Sequence, residues 1–267
     1  MTTPRNITDL SGDGLRVDLA GHVAVVELRR PPANFFDEGL VRAVADAVTG
    51  LGDDPRCRVI VLCSEGKHFC AGADFGDDGD FTAASRPETS GRLYREAVRI
   101  FRAPKPIVAA VQGAAVGGGL GLACAADFRV TEPGGRFAAN FSQLGFHPGF
   151  GLSVTLPRIV GVQKAADLFY SGRRVRGTEA VDIGLADRLT EPGTVRTAAV
   201  EWAQEIARSA PLAVRSVRAT LRAGLADEVE AAVAHELREQ QRLWSTEDSA
   251  EGIAAGLARR APRFTGR

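Results

Sequence analysis

Cysteine is scarce in this chain: Cys57, Cys63, Cys70 and Cys124 form no CxxC pair and have no nearby histidine pattern. A zinc site is therefore not expected. Cys57 and Cys63 flank or occupy an apolar strand and read as buried thiols, which fits a reducing, cytoplasmic setting. Charge of one sign is lacking as well, because 33 basic residues balance 33 acidic ones. That balance argues against a broad nucleic-acid or membrane footprint but leaves room for a local cluster that grips a phosphate. No apolar run approaches the ~18 residues of a membrane-spanning helix, and the opening segment has no basic-then-apolar signal pattern. The expectation is a soluble protein with no metal. Its 267 residues are 45% hydrophobic, enough to bury a substantial core in one large domain or a domain with a subdomain.

Apolar periodicity gives the outline. Val23 to Leu28 is β-prone and is closed by Arg29-Arg30-Pro31-Pro32. Val41, Val44, Val48 and Leu51 recur at helical spacing, and Val59–Cys63 is a continuous apolar run of the kind buried on both faces. Residues 71–92, rich in Gly, Asp, Ser and Thr, read as a loop, with a helix following from about Leu93. Ile107–Val111 predicts a second buried strand, and Phe128–Thr131 and Phe137–Asn140 predict short ones. This alternation implies an α/β arrangement. The pattern is purely helical from about residue 195, which suggests a core over 1–194 and a helical C-terminal subdomain over 195–267.

Two strands run into small-residue turns. The first turn is Lys67-His68-Phe69-Cys70-Ala71-Gly72-Ala73-Asp74-Phe75; the second runs from Gln112 through Gly117-Gly118-Gly119 to Gly121. Such turns expose backbone N–H groups, and the second also opens an apolar helix whose N-terminal dipole favours negative charge. Two N–H groups aimed at one point form an oxyanion hole. The glycine triplet fits neither a dinucleotide fingerprint nor a P-loop, and taken alone it is a turn or close-packing device.

Phe69–Asp74 resembles the crotonase motif FxAGxD. Pro104–Gly113 followed by the glycine triplet and Ala126-Asp127, then Leu144-Gly145 with Pro148-Gly149 and Gly151, then Gly172-Arg173-Arg174 with Gly184-Leu185 and Asp187-Arg188, and finally Pro262-Arg263-Phe264 match that family's later motifs in order. The resemblance to the crotonase, or enoyl-CoA hydratase/isomerase, superfamily implies a ββα superhelix with a helical C-terminal oligomerisation region. It also implies a homotrimer or dimer of trimers, and an acyl-CoA substrate of fatty acid metabolism whose coenzyme A needs no further cofactor. It places oxyanion donors at the N–H groups of Ala71 and Gly118. The nucleotide and pantetheine would lie along Arg30, Pro32 and Ala33 and the turn Ala71, Gly72, Ala73, Asp74 and Phe75.

The chain departs from the pattern where a hydratase of that family carries two water-activating glutamates. Those positions hold Gly121 and Phe141. Neither side chain accepts a proton, so ordinary hydration is expected to be weak or absent, and the missing carboxylates would leave volume for a bulky acyl group. His147 lies between two matched turn elements, where it is either a proton-transfer group or a hydrogen-bonded structural histidine. Asp74 reads as a brace for its turn, and Asp77, Asp78 and Asp80 as solvated loop charge. Arg173, Arg174 and Arg176 suit phosphate or a solvated turn. The readings that remain are a lyase, isomerase or hydrolase acting on acyl-CoA; a non-catalytic acyl-CoA carrier or sensor; and an assembly protein.

Overall fold

A computed structural model describes residues 10–12, 14–75 and 85–267. The expected acidic cluster Asp77, Asp78 and Asp80 lies outside the described residues. The chain begins with an antiparallel pair, β1 (Leu15–Ala20) and β2 (Val23–Leu28), and continues through α1 (Glu38–Asp53), β3 (Val59–Ser64), α2 (Arg86–Phe101) and β4 (Ile107–Val111). Next come β5 (Ala114–Val116), α3 (Gly118–Ala125), β6 (Phe128–Thr131) and β7 (Arg136–Ala138). α4 (Leu152–Val160), α5 (Val162–Ser171), β8 (Arg174–Arg176), α6 (Gly177–Asp182) and β9 (Arg188–Leu189) follow. The chain ends in α7 (Val195–Ala207), α8 (Pro211–Leu221), α9 (Leu225–Trp244) and α10 (Glu247–Leu257).

The main sheet has the order β1-β2-β3-β4-β6-β9 and is parallel from β2 onward; β5, β7 and β8 form a second, smaller sheet. β3 is apolar throughout because both its faces are covered. Ile60 and Leu62 enter the larger core with α1, while Val59, Val61 and Cys63 enter a second core under α7. Val195, Ala199 and Ala203 of α7 therefore pack on the sheet itself, and the boundary expected at 194/195 falls inside one packed unit. The helix expected from about Leu93 starts earlier, with Pro87 in its first turn. The described part of the expected 71–92 loop is thus shorter than its composition suggests.

Several motif residues prove to be clamps. Lys105 is buried and donates to the carbonyls of Leu51 and Asp54 at the end of α1. Asp127 accepts from the Ile107 N–H at 2.8 Å and from Arg218 and Arg222 at 2.9 and 3.1 Å, tying β4 to α8. Among the described residues no helix is long and apolar enough to cross a membrane.

Candidate active site

The two turns are zipped together. The Phe69 N–H donates to Gln112 O at 2.9 Å, Cys70 N–H to Ala114 O at 2.9 Å, and Val116 N–H to Cys70 O at 3.1 Å. This places the end of the first turn beside the start of α3. A Cβ on Gly119 would lie 2.8 Å from the Cys70 carbonyl carbon, and one on Gly72 2.8 Å from Val116 O, so both glycines are required by close approach. Gly72 also has φ +92°.

The segment after β2 closes over the first turn. Asn34 is fully buried, and its amide donates to the carbonyls of Glu65 and His68 at 2.8 and 2.6 Å. The Ala71 N–H donates to Ala33 O at 2.9 Å, and Phe36 N–H to Gly72 O at 3.0 Å. This corrects one donor of the expected oxyanion hole, because the Ala71 N–H is already spent within the protein. The turn's available donor is two residues further on. Among the described residues, the N–H groups of Ala73 and Gly118 have no protein acceptor, and both residues line one cavity of about 250 Å³. Gly118 is the first residue of α3, where free N–H groups and the helix dipole favour an anion. Arg30, by contrast, pairs with Asp37 at 2.6 Å, and Arg173 with Asp167 and Glu179 at 2.9 and 2.7 Å.

Aromatic rings dominate the cavity wall, Phe36, Phe141, Phe146, Phe150 and Trp244 among them. Phe141 points inward: its ring tip would lie 3.9 Å from a Cβ on Gly117. The volume expected beside Gly121 is not there. Phe150, fully buried and in the left-handed region at φ +63°, stands in that place, and a Cβ on Gly121 would meet Phe150 Cβ at 2.7 Å. A bulky residue at positive φ is an outlier that its surroundings must hold. Glu236 on α9 does so by accepting from Gly151 N–H at 2.8 Å, Ser153 N–H at 2.9 Å and the Ser153 hydroxyl at 2.6 Å.

Burial pushes the Glu236 carboxyl above its ordinary value near 4.5, against the pull of those hydrogen bonds. A carboxyl with a raised native pKa contributes stability that is complete below the unfolded value and is lost as pH rises through the native one. The stability advantage of wild type over Glu236→Gln should therefore shrink as pH rises from about 4.5, as read by urea midpoints at each pH; an advantage that grows would contradict this.

Asp74 and Tyr94 are the ionisable side chains on the cavity wall among the described residues. Burial raises the Tyr94 phenol, which stays protonated and donates to Gln240 at 2.9 Å. His147 is not brought to this wall. Its Nδ1 donates to Pro148 O at 2.9 Å, and its ring meets His235 edge-on at 5.7 Å, beside a separate surface depression. His68 contacts Arg136 instead, and burial followed by the Arg136 and Lys67 charges lowers its pKa. Cys70 is buried, and its thiol is pushed up to about 12 by that burial, which makes it unreactive. The sequence reading missed Asn34, Phe36, Asn140, Phe150 and Trp244, each of which reaches the site from a distant segment.

The sequence model of the family described as enoyl-CoA hydratase/isomerase matches residues 18–267. The chain belongs to this family. It is 33% identical to a crotonyl-CoA hydratase of Syntrophomonas wolfei over 245 residues, which span 91% of this chain and 94% of that protein. Its fold is similar to an enoyl-CoA hydratase/isomerase from Pseudoalteromonas atlantica, with a TM-score of 0.82 at 28% identity, covering 94% of this chain and all of that one. It is also similar to an enoyl-CoA hydratase from Mycobacterium avium subsp. paratuberculosis, with a TM-score of 0.81 at 26% identity, covering 94% and 98%. The crotonase-type α/β fold expected from the motifs is thereby established.

Proposed function

We propose that this chain binds an acyl-CoA thioester with its carbonyl oxygen on the N–H groups of Ala73 and Gly118 and its acyl group in the aromatic cavity. The observation that carries this reading is the pair of unspent N–H groups on one cavity wall. Donors of this kind stabilise an enolate or a tetrahedral oxyanion. Neither position expected to carry a water-activating carboxylate has one: Phe141 stands at one and Gly121, backed by Phe150, at the other. Of the ionisable side chains on the described cavity wall, Asp74 is the one assigned to proton movement at the acyl α-carbon, since burial keeps Tyr94 protonated. The oxygens of the nucleotide and pantetheine run along Ala33 and the Ala71–Phe75 turn. Exposed Leu212, Val217 and Leu221 on α8 offer apolar surface for contact between copies, which the family resemblance makes a trimer or dimer of trimers.

Loss of both carboxylates also favours the carrier reading, and one experiment separates the two. A saturated acyl-CoA is mixed with the protein in heavy water, binding is measured by calorimetry, and exchange of the α-protons is followed by NMR. Binding with exchange that Asp74→Asn abolishes is expected for enolate chemistry. Binding without exchange makes the chain a carrier, and absence of binding removes the acyl-CoA reading altogether.

A further inference from the structure

Helix α10 forms one side of the cavity, through Ile253, Gly256 and Leu257, which are spaced three and four residues apart on one helix face. Leu257 lines the cavity yet is 57% exposed, so the last turn of α10 stands at the rim. The middle of the helix is pinned by packing: a Cβ on Gly252 would lie 2.6 Å from the Leu144 carbonyl carbon. One turn on, at Gly256, the nearest atom to a Cβ is a Leu144 side-chain carbon at 3.4 Å. The chain then reverses. Arg259 takes the left-handed region at φ +53°, and the N–H groups of Arg259 and Arg260 donate to Gly256 O at 3.2 Å and Ala255 O at 3.0 Å. A long side chain in that conformation is strained and must be held by its surroundings. Residues 260–267 supply the hold from the side of α10 turned away from the cavity. Glu251 accepts two bonds from the Arg260 guanidinium at 2.6 and 2.7 Å and one from the Arg263 N–H at 2.7 Å. Asp248 accepts from the Thr265 and Gly266 N–H groups at 2.7 and 2.8 Å, and its own N–H donates to Arg267 O at 2.9 Å. A single exposed ion pair contributes little, but a bidentate pair joined to a row of charge-assisted backbone bonds acts as a unit.

On the reading that the cavity takes an acyl-CoA, we infer that residues 259–267 are a latch holding α10 as the outer wall of the acyl cavity, with Asp248 and Glu251 as positioning residues that decide how long an acyl group is held. The latch acts on the acyl end alone. The Ala73 and Gly118 donors are placed by the bonds from Phe69 to Gln112, Cys70 to Ala114 and Val116 to Cys70, and none of these residues is on α10. Releasing the latch therefore leaves the thioester site intact and lets the rim residues Gly256 and Leu257 draw away from the chain they would cover.

The test is calorimetry with saturated acyl-CoAs of increasing length, from acetyl-CoA upward. It compares wild type with the double variant Asp248→Ala, Glu251→Ala and with a chain lacking residues 260–267. Wild-type affinity should climb about fourfold with each methylene that the cavity buries. Both variants should bind acetyl-CoA within about twofold of wild type, and the tightest wild-type ester at least ~10-fold more weakly. Arg260→Lys keeps the charge but loses the two-pronged contact, and its loss for that ester should fall between the two. It alters neither α10 nor the length of the chain, so it decides the matter even if the larger changes unfold the protein. Variants that follow wild type along the whole series overturn the inference, as does a loss equally large for acetyl-CoA, which marks a purely structural role. Wild-type affinity that does not change with length overturns it too. If wild type binds no ester at all, the acyl-CoA reading itself fails, a result distinct from each of these.

Discussion

Hydration of crotonyl-CoA should appear only when three positions are changed together. Gly121→Glu alone cannot create a catalytic carboxylate. Its Cβ would lie 2.7 Å from Phe150 Cβ and 2.9 Å from Phe150 Cγ, atoms too near the backbone to swing aside. Overpacking of this kind costs about 1–3 kcal/mol, and the buried unpaired carboxylate adds to it. Phe141→Glu alone puts one carboxylate on the wall without its partner. The combination Gly121→Glu, Phe141→Glu and Phe150→Ala supplies both groups and the space for one of them. General acid–base groups typically contribute about two to four powers of ten, so the triple variant should exceed wild type by at least ~100-fold in loss of enone absorbance. A folded triple variant that binds crotonyl-CoA and stays inactive would show that the two side chains are not the missing element. Robust turnover by wild type would show that another group already does their work.

Gly119→Ala should cost both stability and acyl-CoA binding. The added carbon would press on the Cys70 carbonyl, with the Cys70 carbonyl carbon at 2.8 Å and its Cβ at 3.0 Å. Those atoms are anchored by the bonds from Cys70 to Ala114 and from Val116 to Cys70, so neither turn gives way without breaking the zip. The Ala73 and Gly118 N–H groups would then diverge. We expect a loss of about 3 kcal/mol of stability by urea denaturation and a fall of at least ~100-fold in acyl-CoA affinity. Gly134→Ala, away from the cavity, is the control: a Cβ there meets only a Glu132 side-chain oxygen, at an ordinary 3.9 Å. Equal behaviour of the two variants would show that the spacing of the turns is not what organises the donors.

Much of this was legible in the sequence because it is local. The apolar run Val59–Cys63, the helical spacing from Val41 to Leu51 and the motif glycines each state their structure within a few residues. The donor register was not legible. Whether Ala71 or Ala73 offers its N–H depends on the Ala33 carbonyl, which comes from a segment before α1. The fate of the space at Gly121 was equally hidden, because Phe150 reaches it from beyond β7, and nothing in Gly149-Phe150-Gly151 announces a left-handed phenylalanine. His147 stands among matched motif residues, yet the turn that carries it faces its ring outward to His235. Motif position gives the backbone path, and side-chain direction is decided by packing from elsewhere.

The interlock of Gly121 with Phe150 also bears on descent. A chain with glutamate at 121 and a small residue at 150 is separated from this one by two changes, and each taken first is unfavourable. Truncating Phe150 while Gly121 remains opens a hole costing about 3–5 kcal/mol, and adding the glutamate first drives two side chains into one space. Against a typical net stability of about 5–15 kcal/mol, each first step removes a sizeable share. The two states are neighbours in sequence, yet each single step between them costs stability that the second step restores, so the pair is expected to change together.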